Sequence, residues 1–280
     1  SLWSNTTGFS NTANGWWALY YNLVGFENIA IWLDSLYNNQ SWNQNVANGI
    51  QSLYSNTTGN NNVAIWYQSL YFATWVSDQT AIWYQSLYSN TTGYNNTANG
   101  AQTMYFNTTG HDNVAYGFNT LYSNTTGDWN TAIGANALFS NSTWSENTAN
   151  GEFAMYYNTI WKWNVAAWND ALRNNTTGDS NTANGLRSLF SNTTGSNHTA
   201  LWFQSAYNIV SIGWTTPNTT IGYQALYGGS WTPSANTAYD NVAIWYQALY
   251  GTIWTPSTGV GNVAVGNGAL QKITTGWFNI

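Results

Sequence analysis

The stretch 62-NVAIWYQSLY-71 matches the stretch 96-NTANGAQTMY-105 position by position, and the two begin two repeats of 17 residues apart. The alanine that follows Asn-Thr or Asn-Val recurs every 17 residues from Ala13 to Ala200. The spacing then loosens, and the corresponding residues are Thr220, Ala243 and Ala264. A fixed period of this kind indicates that one structural unit is repeated along the chain.

Several positions of the repeat hold one residue type in nearly every copy. A leucine or methionine lies six residues after the alanine and is followed in most copies by an aromatic residue. An asparagine lies two residues before the alanine. We predict that the leucines fill an interior and that the asparagines form a ladder of side-chain amide hydrogen bonds. Representatives of these columns are Leu53, Leu70, Leu87, Asn62, Asn96, Asn113 and Asn130. His198 takes the place of asparagine in this column, and we interpret it as a ladder residue rather than a metal ligand.

A 17-residue unit is too short for a pair of helices, and its Asn-Thr-Thr-Gly and Asn-Gly corners interrupt long helices. β-branched and aromatic residues between such corners favour short strands. Propellers and sandwiches are built from longer units or other strand spacings. We therefore predict an all-β chain that forms a single β-solenoid (β-helix or β-roll) domain over 1–280, with about sixteen stacked coils. Regular coils occupy 1–205, and 206–280 form longer coils with loop insertions rich in Gly and Pro.

One position of the repeat, two residues after the alanine, holds only glycine or tryptophan. An interior position could not hold both, because interiors are packed to a fixed volume. We therefore expect these tryptophans to point outward, on a backbone that is either ordinary in their coils or differs between the two kinds of coil. Outward tryptophans suit a lateral contact with another copy or stacking on a sugar ring. They are Trp32, Trp66, Trp83, Trp168, Trp202 and Trp245.

The sequence offers little for catalysis. Charged residues make up 5 % of the chain, cysteine is absent, and no hydrolase triad, phosphate-binding loop, zinc spacing or calcium loop is present. We predict no enzyme activity and no cofactor. Four basic residues are too few for a nucleic-acid surface, and no apolar run is long enough for a membrane helix.

Sequons for N-linked glycosylation recur at one position of the repeat, within or near the Asn-Thr-Thr-Gly corner. This corner also makes a good turn without any glycan, and many sequons arise from the composition alone. The candidate glycosylation residues are Asn5, Asn39, Asn56, Asn90, Asn107, Asn124, Asn141, Asn175 and Asn192. The paired threonines also raise the possibility of ice binding, but they are adjacent rather than alternating, so a flat two-column face is not expected.

The unit N-T-A-x-G-x-x-A-L-x-x-N-T-T-G is seen in 130-NTAIGANALFSNST-143 and 181-NTANGLRSLFSNTTG-195. It resembles the repeats of tail-fibre-type and other surface-fibre proteins, and it is more loosely similar to the N-x-A-x-G repeats of trimeric autotransporter adhesin heads, which form a β-roll. The resemblance covers essentially the whole chain. It implies an extracellular, structural or adhesive protein at a cell or virion surface. The 17-residue period and the tryptophans depart from those repeats.

The first and last coils carry no polar cap, so we expect either a fragment of a longer array or rods that join head to tail. The leading prediction is a structural subunit of an extracellular filament that assembles head to tail and laterally with copies of itself, with glycans as possible covalent or bound partners. The alternative is a carbohydrate-binding adhesin or tail-fibre segment. An ice-binding solenoid is the third.

Overall fold

The structure is a computed structural model that describes residues 1–159, 162–209, 217–228, 240–251, 260–271 and 277–280. The described residues contain no helix and fifteen strands of three residues each, which confirms the all-β prediction. The strands are β1 (Thr12–Asn14), β2 (Ile29–Ile31), β3 (Val46–Asn48), β4 (Val63–Ile65), β5 (Thr80–Ile82), β6 (Thr97–Asn99), β7 (Val114–Tyr116), β8 (Thr131–Ile133), β9 (Thr148–Asn150), β10 (Val165–Ala167), β11 (Thr182–Asn184), β12 (Thr199–Leu201), β13 (Thr219–Ile221), β14 (Val242–Ile244) and β15 (Val263–Val265). The predicted insertions within 228–241 and 251–262 lie largely outside the described residues.

The chain divides into two compact units. Unit 1 comprises Ser1–Asn136 with Ser140–Thr143, and unit 2 comprises Ala137–Phe139 with Trp144–Ile280. In unit 1, strands β1–β8 pair in chain order and in parallel, and β9–β15 do the same in unit 2. Parallel pairing of each strand with the strand one repeat later defines a β-solenoid, which confirms the predicted fold. The assignment of 1–280 to a single domain stays a prediction.

The interior of each unit is built from the columns that the sequence predicts. The central alanines of β2 to β12 and the leucines and methionines from Leu19 to Leu189 are fully buried. Leu53, Leu70 and Leu87 belong to this set. Burial of a leucine side chain stabilises a fold by about 1.5–3 kcal/mol, so each coil gains its main apolar contribution from one residue.

The coil closes in 17 residues because it uses left-handed backbone at non-glycine positions. In the coil that begins at Asn62, the φ angles of Gln68, Leu70 and Asp78 are 54°, 51° and 58°. A left-handed conformation costs about 1–2 kcal/mol for an L-residue with a side chain. The leucine column therefore combines a strained backbone with complete burial, and burial of the side chain offsets the strain.

The predicted asparagine ladder is present. Asn62 donates from both its backbone nitrogen and Nδ2 to Asn45 Oδ1, at 3.1 Å and 3.0 Å, and Nδ2 also reaches Val76 O. The same pattern joins Asn96, Asn113 and Asn130. Each amide thus satisfies buried groups of two neighbouring coils, which is what a buried polar side chain requires.

His198 is part of this ladder, as predicted. Its backbone nitrogen donates to Asn181 Oδ1 at 3.0 Å, and its Nδ1 accepts the Asn218 backbone N–H at 3.1 Å. Burial lowers the pKa of the imidazole to about 4, because the charged form would lose its hydration. The neutral ring therefore replaces the acceptor oxygen of asparagine.

Two further columns run along the coils. A second asparagine ladder lies at the Asn-Thr-Thr-Gly corner, where Asn107 Nδ2 donates to Asn90 Oδ1 at 2.9 Å and to Gly110 O at 2.9 Å. The aromatic column forms a stack, with ring centroids 5.1 Å apart for Tyr54 and Tyr71. In unit 1 the stack is continuous, and its members are Trp3, Tyr20, Tyr37, Tyr54, Tyr71, Tyr88, Tyr105 and Tyr122.

Candidate functional site

The nine candidate glycosylation residues lie in the second ladder. They are Asn5, Asn39, Asn56, Asn90, Asn107, Asn124, Asn141, Asn175 and Asn192. All except the partly buried Asn5 are fully buried, and the Nδ2 atom of all nine donates at least one hydrogen bond. An N-linked glycan is a bulky surface group attached through that nitrogen. At the eight buried positions this nitrogen is engaged inside the coil stack, so the structure shows a hydrogen-bond ladder at this corner, and glycosylation there stays an untested prediction.

The tryptophans of the glycine-or-tryptophan column do point outward, as expected. Their exposed fractions lie between 48 % for Trp83 and 67 % for Trp202. The six residues are Trp32, Trp66, Trp83, Trp168, Trp202 and Trp245. Large apolar side chains exposed in a row are unusual on an isolated soluble protein.

The backbone under these tryptophans is not ordinary, so that part of the expectation is wrong. Their φ angles run from 86° at Trp32 to 103° at Trp245, whereas the column glycines with positive φ have angles from 120° to 153°. The two kinds of coil therefore do differ. At Gly185 an added Cβ would overlap the carbonyl of Trp202, so a side chain fits only after the backbone rotates. Such strain costs about 1–3 kcal/mol.

The positions directly before and after this column extend it into a wider surface, which we call the aromatic face. It consists of the residues one, two and three places after the central strand residue of each coil. In unit 1 these residues include no charged side chain, and in unit 2 only Glu152 is charged; all these positions lie within the described ranges. Aromatic rings stack along the face, as in Trp66 with Trp83 at 5.4 Å and Tyr67 with Tyr84 at 5.7 Å.

Each glycine of the column leaves a gap in the aromatic face. A cleft of about 440 Å³ lies over Gly49 between the indoles of Trp32 and Trp66. A second cleft, of about 550 Å³, lies over Gly15 beside Trp32. Around Trp32 the face therefore alternates between a projecting ring and gaps, and the sequence signal for this was the pairing of the largest and smallest residues at one position.

Within the described residues, titratable side chains meet in two clusters that sequence reasoning missed, and one of them joins Asp170 to Arg173 at 2.8 Å and to Arg187 at 3.2 Å. The other is centred on His111. His111 Nδ1 lies 2.9 Å from Asp112 Oδ2, and its Nε2 lies 3.4 Å from Asp128 Oδ2. The imidazole stacks on the ring of Tyr94 at 4.5 Å. Within the part of the chain that the structure describes, no three His, Cys, Asp or Glu residues are arranged to hold a metal ion.

Fold and surface together define the chain as a β-solenoid repeat protein with an almost uncharged aromatic face. Comparison with protein-family models finds no matching family, and comparison with curated proteins finds no similar sequence. A search of the described ranges finds no helix with the length and apolar character needed to cross a bilayer.

Proposed function

We propose that the chain is a structural subunit of an extracellular filament built from copies of itself, with no enzymatic role. The observation that carries this proposal is that polar and aromatic side chains make their contacts between neighbouring coils. Within each unit, asparagine amides, threonine hydroxyls and stacked rings bind one coil to the next, as in Asn113 to Asn96 and Thr91 to the Thr108 carbonyl. Side-chain chemistry that an enzyme would direct at a substrate is directed along the solenoid instead.

Two other features support the proposal. The aromatic face offers an almost uncharged surface for lateral contact between copies, and Trp is favoured at the centres of protein interfaces. The resemblance of the repeat unit to surface-fibre proteins supports an extracellular location. Glycans are not part of the proposal at the nine ladder residues, because those amides are engaged.

The test is to concentrate the purified chain and examine it by electron microscopy and by X-ray diffraction of aligned material. We expect fibres with a reflection near ~4.8 Å along the fibre axis, since that is the spacing of strands in neighbouring coils. Surface labelling of the source cells or particles checks the location. A chain that stays monomeric in sedimentation at millimolar concentration contradicts the filament.

A carbohydrate-binding adhesin is the second candidate, and the open faces of isolated indoles favour it. Trp32, Trp168, Trp202 and Trp245 have glycine on both sides in their column, so none of these rings is covered by a column neighbour, and Trp32 and Trp168 represent them in the test. Sugar rings stack on such faces. Quenching of tryptophan fluorescence by soluble oligosaccharides, lost in Trp32→Gly and Trp168→Gly and retained in Trp75→Thr, would move the conclusion to the adhesin.

Ice binding receives less support from the geometry. In several threonine pairs the first hydroxyl is used within the coil stack, as when Thr91 Oγ1 donates to Thr108 O at 3.1 Å. In the pair Thr57–Thr58 both hydroxyls donate to the Thr74 carbonyl. Thermal hysteresis of a chain solution would test this third candidate directly.

A further inference from the structure

Glycine and tryptophan alternate strictly along the aromatic face of unit 2. Over seven consecutive coils the column reads Gly151, Trp168, Gly185, Trp202, Gly222, Trp245 and Gly266. The alternation continues through the longer coils after residue 205, because β12, β13, β14 and β15 still pair in register. Insertions change the loops of these coils but not the order of the column.

The alternation sets a regular spacing of rings and gaps. Adjacent coils lie ~4.8 Å apart, so successive indoles in this column are separated by about 9.6 Å with one gap between them. A ring placed in the gap would lie roughly 4.8 Å from each neighbour, within the range of offset-stacked pairs. Unit 2 itself stacks rings at this distance, for example Phe190 on Tyr207 at 5.1 Å.

The coil does not need these indoles. Glycine occupies the same place in alternate coils, and Trp168, Trp202 and Trp245 adopt strained φ angles of 93°, 90° and 103°. They remain 63 %, 67 % and 64 % exposed. Residues that strain the backbone and leave most of their surface in water are explained by a contact outside the unit.

We propose that this column is a zipper for the same column of a second copy. When the second copy is displaced by one coil, each of the three indoles of either copy enters a glycine gap of the other, and one terminal glycine of each column stays unpaired. The series reads the same in both directions, so the match holds for parallel and antiparallel copies. The proposal rests on the filament function and identifies its lateral interface.

The exposed area agrees with such an interface. At about 250 Å² for a whole tryptophan side chain, the three indoles leave roughly 500 Å² exposed. The exposed parts of Leu186, Tyr223, Tyr246 and Val265 bring the total close to ~800 Å². That is the area each partner contributes to a standard protein interface, and it exceeds the largest patch of a typical monomer.

The test compares Trp202→Gly with Trp75→Thr. Both remove a largely exposed indole and insert the residue that other coils carry at that position, but Trp75 lies outside the aromatic face. We expect Trp202→Gly to keep the circular-dichroism spectrum and to raise the concentration for lateral association at least tenfold, with Trp75→Thr unchanged. Trp168→Gly is the second variant and should act in the same way.

A second readout uses the absence of cysteine from the chain. Leu186→Cys lies on the zipper, and Thr194→Cys lies on the threonine corner. We expect alkylation of the first thiol to slow as assembly proceeds, and this protection to disappear when Trp202→Gly is added, whereas the second thiol reacts equally throughout. Fibres that form while the thiol of Leu186→Cys stays unprotected, with no effect of Trp202→Gly, overturn the zipper and leave the filament standing. Absence of any assembly overturns both.

Discussion

The second asparagine ladder is interrupted at Ala73, and the interruption gives a quantitative test of the fold. Ala73 takes the place of asparagine there, and the buried Asn56 Oδ1 is left without a partner. The same coil carries the buried Val76 where most other coils carry the corner glycine. At Gly93 an added Cβ would lie 2.5 Å from Asn90 Oδ1, so an asparagine and a side chain crowd each other at a corner of this shape, although the coils of Asn39 and Asn141 carry Trp42 and Trp144 there.

We therefore expect Ala73→Asn and Val76→Gly each to destabilise the fold alone and to compensate each other when combined. Ala73→Asn alone overfills a packed site and should lower the free energy of unfolding by about 1–3 kcal/mol. Val76→Gly alone removes a buried side chain and should lower it by about 2 kcal/mol. In the double variant, the introduced amide can donate to Asn56 Oδ1 and accept from Asn90 Nδ2, and satisfying a buried acceptor is worth about 1–3 kcal/mol.

The double variant should lie within about 1 kcal/mol of the unmodified chain, which corresponds to a favourable coupling of at least about 2 kcal/mol. Urea unfolding of the unmodified chain, the two single variants and the double variant, followed by circular dichroism and by tryptophan fluorescence, measures this coupling. If the two effects simply add to within about 0.5 kcal/mol, the proposed competition for the corner is refuted.

Three further perturbations address the first ladder and the core. Gln79→Asn should raise the free energy of unfolding by about 1 kcal/mol, because Gln79 Oε1 is buried without a partner and asparagine would offer its oxygen to the Asn96 N–H; urea midpoints measure this. The free energy of unfolding should fall as the pH drops from 6.5 towards 4, because His198 is protonated in the unfolded chain but stays neutral in the folded one. The loss is at most about 3 kcal/mol. The variant His198→Asn should not show this pH dependence. Leu87→Ala should cost about 2–5 kcal/mol by thermal or urea unfolding, since Leu87 is fully buried.

Each of these predictions has a matched control. Gln79→Ala deletes the 2.9 Å bond to Gly93 O and should destabilise the chain, so equal effects of Asn and Ala would contradict the ladder argument. Identical pH profiles for the unmodified chain and His198→Asn would exclude His198 as the acid-sensitive group. Leu186→Ala, on the aromatic face, should change the stability of the unassembled chain by less than about 1 kcal/mol, and a loss equal to that of Leu87→Ala would contradict the assignment of the core.

The sequence was sufficient for the fold because the period determines which residues become neighbours. Once residues 17 apart lie side by side, repeated leucines such as Leu87 must form a core and repeated asparagines such as Asn113 must form a ladder. The same logic identified His198 as a ladder residue and placed the tryptophans on the outside. These conclusions depend on the pattern of residue types and not on the path of the backbone.

Features that depend on the backbone path were not predictable from the pattern. Nothing in a leucine indicates a left-handed conformation such as the φ of 51° at Leu70. The sequon at Asn107 reads as an accessible turn, but in the folded coil its amide is buried and bonds to the neighbouring coil. Of the two alternatives expected for the tryptophan backbone, the ordinary one is excluded by the φ of 86° at Trp66, which the residue type does not indicate.

The strict alternation in unit 2 has a consequence for how the number of coils can change. A repeat array gains or loses whole coils by duplication and deletion, and the ladders and core accept either change because every coil offers the same partners. The alternating column does not accept a single coil, because removing the coil of Gly185 would bring Trp168 directly beside Trp202. Insertion or deletion of two coils preserves the order. The column therefore restricts changes in the length of this part of the chain to even numbers of coils.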